Sequence, residues 1–195
     1  MVRLLFPTVI HEIPIKNFKK IKDDIIKRVY LERDKDPDGT IKSNVGGWQS
    51  QELDDGEELI ISTIVNKVGD YFSRERILTG EQGLDFMNFW ININNKDSYN
   101  MKHIHGNADL SGVFWIKFPP KSGNIQFDSP FAYNRHNEVL NYSSRFKEKC
   151  NLYPTYWLEP IEGNVVVFPA SLYHRVTQNK TNEDRISIAF NIRFM

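Results

Sequence analysis

The ten residues Arg185-Ile-Ser-Ile-Ala-Phe-Asn-Ile-Arg-Phe194 alternate without a break. On an extended strand Ile186, Ile188, Phe190, Ile192 and Phe194 fall on one face, and Arg185, Ser187, Ala189, Asn191 and Arg193 on the other. Such a run demands a sheet with one side packed on a core and the other facing water or a polar cavity. If the isoleucine face is the covered one, Arg185 and Ser187 look into the mouth of whatever the sheet encloses. An arginine aimed into a barrel is unfavourable unless it binds an anion, and its guanidinium fork matches a carboxylate bidentately. The plain alternative is a solvated strand end carrying a surface arginine.

The rest of the chain indicates what this strand belongs to. Residues 3 to 13 are β-branched and apolar and read as a strand. Between Asn17 and Leu31, Phe18, Ile21, Ile25, Ile26 and Val29 recur at helical spacing among lysines and aspartates. Asp34 to Gly47 reads as a loop, and a second helix is expected from about Gly56 to Phe72 through Leu59, Ile60, Ile64, Val68 and Tyr71. After residue 85 the pattern becomes short aromatic and β-branched runs: Phe86 to Ile93, Leu110 to Phe118, Asn124 to Phe127, Tyr153 to Leu158, Asn164 to Phe168, Tyr173 to Thr177 and Arg185 to Phe194. Gly, Pro and Asn clusters separate them, which is the signature of an antiparallel sandwich or barrel. The expected fold is α+β and mainly β: a jelly-roll barrel of about eight strands with two helices on one outer face. One domain spans 1–195, with 1–85 as helical support and 86–195 as the barrel core.

Composition narrows the range of functions. Lys plus Arg and Asp plus Glu both total 25, so no charge excess draws the chain to nucleic acid or to an anionic membrane. No window approaches eighteen apolar residues, and the single cysteine, Cys150, fits a reducing compartment with no internal disulfide. A cytoplasmic protein is expected. Its oligomeric state is expected to be monomer or homodimer, since Tyr153, Tyr156 and Trp157 would permit a dimer.

Chemistry concentrates in the histidines. His103 and His105 lie two apart and share a strand face, so both can reach one ion. In Glu162-Gly-Asn-Val-Val-Val-Phe-Pro-Ala-Ser-Leu-Tyr-His174, a turn glycine, a buried strand and a proline corner bring His174 to a barrel rim. Either signal alone is weak; together they favour a divalent metal, whose commonest protein ligand is imidazole. His11, in the first strand, is expected to be structural. His136 lies in a polar insert from Phe131 to Leu152, read as an exposed loop with a lid over the mouth as the alternative.

These residues resemble the Fe(II)- and 2-oxoglutarate-dependent oxygenases, in a branch common in marine bacteria and their phages. The resemblance rests on Tyr99-Asn-x-x-His103-x-His105, Leu110-Ser-Gly-Val-Phe-Trp115, Gly123-Asn-Ile-Gln-Phe-Asp-Ser-Pro130, Phe168-Pro-Ala-Ser-Leu-x-His174-x-Val and Arg185-Ile-Ser-Ile-Ala-Phe-Asn191. It implies a double-stranded β-helix (jelly-roll, cupin-like) fold, with iron held by the first motif and His174. Arg185 and Ser187 would hold the distal carboxylate of 2-oxoglutarate. It also implies hydroxylation of a small-molecule or peptide substrate, with release of succinate and carbon dioxide. Asn92, Asn94, Tyr99 and Trp115 are candidates for lining the pocket, and of these Asn92 and Tyr99 are taken as cosubstrate contacts.

One departure stands out. The common superfamily pattern is His-x-Asp followed by a distant His, whereas here His105 occupies the Asp position. Either His103, His105 and His174 bind the metal alone, or a carboxylate completes the site, with Asp128 and then Asp109 as candidates. Two further classes stay open: a cupin-like three-histidine enzyme that ignores 2-oxoglutarate, and a jelly-roll binding module whose histidines are structural.

Overall fold

The alternating run forms the longest partnership in the molecule. In the computed structural model, which describes residues 2–53 and 58–195, the elements in chain order are β1 (His11–Pro14), α1 (Phe18–Lys35), β2 (Asn44–Val45), β3 (Trp48–Gln49), α2 (Glu58–Arg74), β4 (Leu84–Asn94), β5 (Tyr99–His103), β6 (Leu110–Lys117) and β7 (Ile125–Asp128). A 3-10 turn (Ala132–Arg135), α3 (Asn137–Leu140) and α4 (Ser144–Cys150) follow, then β8 (Thr155–Leu158), β9 (Asn164–Pro169), β10 (His174–Val176) and β11 (Arg185–Phe194). Two antiparallel sheets result. A six-stranded sheet runs β1-β9-β6-β11-β4-β3, and a five-stranded sheet runs β2-β5-β10-β7-β8. β4 to β11 make the expected eight-stranded jelly roll, and β1, β2 and β3 extend its edges.

The core has two layers because β11 and its neighbours have two usable faces. Ile186, Ile188, Phe190 and Ile192 are fully buried and pack with Ile91, Ile93 and Phe114 against Ile25 and Val29 of α1 and Ile60, Ile64 and Val68 of α2. The inward faces of both sheets contribute a second cluster of Val113, Trp115, Ile125, Phe127, Val166, Phe168 and Leu172. The helices therefore cover one face of the larger sheet, as the alternation requires, and the site lies between the sheets.

Several boundaries differ from the sequence expectation, each for a local reason. The first strand is confined to His11–Pro14, because β9 offers partners only from Asn164 to Val167 before its Phe168-Pro169 corner. Residues 3–10 have no neighbouring strand, and Leu4, Leu5, Phe6 and Val9 are exposed. α1 runs on to Lys35 and stops where Pro37 disfavours helical backbone at Asp36 (φ −134°, ψ 74°). The start of the second helix expected at Gly56 lies outside the described residues. The insert after Phe131 is built of short helices rather than loop, with Val139 and Cys150 turned inward. Among the described residues no helix is long and apolar enough to cross a membrane.

Gly112 of β6 sits where a side chain cannot go. A β-carbon there would lie 2.1 Å from the ring of fully buried Phe190. Gly112→Ala should therefore destabilise the fold by about 1–3 kcal/mol through overpacking, read as a lowered urea midpoint. An unchanged midpoint would show that the Phe190 ring is free to move.

Candidate metal centre

The register of the smaller sheet brings the histidines together. His174, at the start of β10, is paired with His103 on β5 and with Phe127 on β7. The His103 and His174 rings are 4.3 Å apart by centroid. β5 ends at His103, but the backbone N–H of His105 donates to the carbonyl of Ala170 at 2.9 Å and keeps the chain against the rim. One ring nitrogen from each of His103, His105 and His174 lies within 4.8 Å of the others. That is the convergence a divalent ion requires.

Each imidazole is oriented through its other nitrogen. His103 Nδ1 is 2.7 Å from the Met101 carbonyl, His174 Nδ1 is 2.9 Å from the Leu172 carbonyl, and His105 Nδ1 is 2.8 Å from Oδ1 of Asn191. Carbonyl oxygens only accept, so these bonds place the ring proton on Nδ1 and leave the Nε2 lone pair free. Asn191 is held in turn by the Ser111 hydroxyl, which donates to the same oxygen at 2.9 Å. Burial also keeps the rings neutral: it lowers His103 and takes His105 to about 4 and His174 to about 3, with His103 adding to both. Neutral, pre-oriented imidazoles with free Nε2 atoms suit a borderline metal such as iron or zinc.

Neither candidate carboxylate joins them. Asp128 follows inward-facing Phe127, so its side chain turns to the outer face, where Oδ2 accepts from Lys102 Nζ at 2.7 Å and Oδ1 from Thr155. The Lys102 hydrogen bond holds the Asp128 carboxyl below its ordinary value. Asp109 Oδ2 caps the far end of β11 by accepting from the Phe194 N–H at 2.9 Å. Among the described residues the cluster consists of histidines alone.

The larger sheet adds a buried cation that, among the described residues, has no anionic partner. Arg185 is 1% exposed and donates through Nη1 to the carbonyls of Ser122 and Thr177, while Nε and Nη2 have no partner among the described residues. Burial lowers its guanidinium to about 10, which still leaves it charged at neutral pH. Gly123 (φ +105°) makes room for it, since a β-carbon there would lie 2.6 Å from Arg185 Nη1. Across the sheet Arg185 pairs with Asn94, and Ser187 pairs with Asn92 on one side and Trp115 on the other. Asn92 Oδ1, Asn94 Nδ2, Trp115 Nε1 and Ser122 Oγ are likewise buried with no hydrogen-bond partner. Buried donors such as Arg185 Nε and Nη2, Asn94 Nδ2 and Trp115 Nε1 suit an acceptor-rich, negatively charged ligand.

The remaining expectations divide. Asn92, Asn94, Trp115, Arg185 and Ser187 share the inner face. Tyr99 does not: it lines a groove on the outer face of the smaller sheet with Gln126, Trp157 and Arg175. His11 is structural, with Nδ1 3.3 Å from the Tyr71 hydroxyl and its ring against Phe72. His136 lies in the insert, its ring 6.4 Å from that of Tyr133 by centroid. Asn191 was visible only as one polar residue of the alternating strand; its hold on His105 comes from tertiary structure.

Fold and site thus define a jelly-roll protein with a histidine cluster suited to a metal and a buried seat for an anion. Comparison with known proteins agrees. A family model described as "Putative 2OG-Fe(II) oxygenase" matches residues 88–191, just over half of the chain. The chain belongs to this family of Fe(II)- and 2-oxoglutarate-dependent oxygenases. A prolyl-4-hydroxylase of Pseudomonas putida is similar in fold (TM-score 0.64, 12% identity, covering 95% of this chain and 92% of that one). So is the viral collagen prolyl hydroxylase vCPH from Paramecium Bursaria Chlorella virus-1, solved with 2-oxoglutarate (TM-score 0.59, 15% identity, 94% of each chain). HygX from Streptomyces hygroscopicus, solved with nickel, 2-oxoglutarate and hygromycin B, is a third (TM-score 0.63, 12% identity, 95% of this chain and 83% of that one). No curated protein sequence matches the chain.

The Asn191 contact yields a prediction. Asn191→Ala removes the acceptor that aims His105, and should weaken divalent-metal binding about 10- to 100-fold in a Co(II) titration while the fold persists. Wild-type affinity in the folded variant would mean that His105 needs no such support.

Proposed function

We propose that His103, His105 and His174 hold Fe(II) through their Nε2 atoms, and that Arg185 and Ser187 bind the distal carboxylate of 2-oxoglutarate beside it. The substrate, a small molecule or a peptide, is hydroxylated with release of succinate and carbon dioxide. The single observation carrying this reading is that the buried Arg185, its Nε and Nη2 without partners among the described residues, lies on the inner face of a barrel whose other sheet carries three histidines with their Nδ1 atoms already engaged. Activation of dioxygen and oxidative decarboxylation of the 2-oxo acid are the chemistry that iron supplies when bound.

The chain's own residues do the rest. The neutral imidazoles of His103, His105 and His174, each with Nδ1 engaged, would hold the ion through their Nε2 lone pairs. The Arg185 fork fixes the cosubstrate's far end and regains on binding the stabilisation that the unpaired cation lacks. Phe127, Phe168, Leu172 and Val113 keep water from the enclosed half of the pocket. Asn92, opposite Ser187, lines the same space. The structural neighbours, a prolyl-4-hydroxylase and HygX with hygromycin B bound, are compatible with either substrate class.

We further place the enzyme in a reducing cytoplasm, that of the host if it is phage-encoded, and acting as one domain. Cys150, buried and unpaired, supports the reducing compartment. A three-histidine enzyme indifferent to 2-oxo acids is the second reading, favoured by the lack of a carboxylate in the cluster. It would leave Arg185 with no anion.

Anaerobic titration of the Fe(II)-loaded protein with 2-oxoglutarate separates the two. The proposal expects the visible metal-to-ligand charge-transfer band, no iron binding by His174→Ala, and Arg185→Ala that keeps iron but binds 2-oxoglutarate about 100-fold more weakly. Bound iron without the band would overturn it.

A further inference from the structure

Trp115 combines features that a purely structural tryptophan would not need. It is 1% exposed, it lies directly across from Ser187 on the inner face, and its Nε1–H has no acceptor. Of the four tryptophans it is the only one in this position. Trp48 donates to the Asp36 carbonyl at 2.8 Å, Trp157 is 60% exposed, and Trp90 is partly open to water. A phenylalanine would keep an aromatic ring beside Phe118 without an orphaned donor. An indole N–H can only donate, and leaving it buried and unmet is unfavourable.

The surrounding groups indicate what it donates to. Arg185 Nε and Nη2 are also unmet donors, and Ser187 stands between Trp115 and Asn92 in register. A carboxylate offers about four lone-pair sites. The guanidinium fork can take two of them bidentately and the Ser187 hydroxyl a third, which leaves a fourth for a donor on the strand paired with Ser187.

We propose that Trp115 is a direct hydrogen-bond donor to the distal carboxylate of the 2-oxo acid, and so selects dicarboxylates over 2-oxo acids with an apolar end. This rests on the reading of Arg185 and Ser187 as the cosubstrate seat. The side chain is a binding residue as well as a core residue, and its indole reports occupancy of the seat.

The test uses the Zn(II)-loaded, 15N-labelled protein, which is diamagnetic and inactive. The Trp115 indole signal is identified by its loss in Trp115→Phe, or by contacts with the Phe118 ring should that variant fail to fold. Added 2-oxoglutarate should move this signal downfield and slow its exchange with solvent. 2-Oxopentanoate, which carries a methyl group in place of the distal carboxylate, should not. Trp115→Phe should bind 2-oxoglutarate about tenfold or more weakly with unchanged metal affinity. An identical response to both acids, or wild-type affinity in the folded variant, would overturn the role of Trp115. Arg185→Ala run alongside keeps the failures apart. If it loses affinity while Trp115→Phe does not, only the Trp115 assignment falls; if the wild type binds no 2-oxoglutarate, the oxygenase reading falls with it.

Discussion

Alternation along β11 governs both the core and the site. The strand lies inside the six-stranded sheet between β6 and β4. Its even residues are fully buried under the two helices from Ile186 to Ile192, and that burial fixes the pairing. A slip of one residue would turn the isoleucines inward and the arginine into the helix layer, exchanging the faces completely. Arg185 and Ser187 therefore face the interior because Ile186 and Ile188 must face the helices. The one irregularity on the β4 side falls between Ala189 and Asn191, where Asn88 takes φ +53° and β4 carries the extra residue. This bulge lets the strand bend without disturbing the pairing of Asn92 and Asn94 with Ser187 and Arg185.

Desolvation then produces two opposite but complementary effects. At the rim it keeps three imidazoles neutral, so their lone pairs are available without displacing protons. Deeper in, it leaves a guanidinium charged and unpaired. The first suits a cation and the second an anion, and the two lie on the inner faces of the two sheets. A molecule carrying a metal-chelating 2-oxo acid at one end and a carboxylate at the other answers both. An anion that meets the Arg185 guanidinium would bind the folded state selectively.

How much of this was legible in the sequence varied with the range of the interaction. The β11 faces, both helices and most barrel strands followed from periodicity alone. His174 was placed correctly because a glycine turn and a proline corner bracket its approach. The two-residue strands β2 and β3 carry too little pattern to be seen, and the apolar run before His11 misled because β9 has only four residues to pair with it. Asp128 could have been set aside by alternation: Phe127 faces in, so its neighbour faces out, to Lys102. Tyr99 is subtler. Spacing alone puts it on the face of His103, but an irregularity pairs His174 with His103 and Val176 with Asn100, so Asn100 turns inward and Tyr99 outward. Asn191 and Trp115 depend on contacts across strands distant in the chain, which no local pattern encodes.

The central claim is that three histidines alone provide the protein ligands to iron. A crystal structure of the anaerobic, Fe(II)-loaded protein, with iron located by its anomalous signal, tests it most directly. The account predicts one iron bonded to Nε2 of His103, His105 and His174, with every Nδ1 still on its acceptor and no protein carboxylate in the coordination sphere. Iron bound by Asp128 or Asp109, or through any Nδ1, would contradict it.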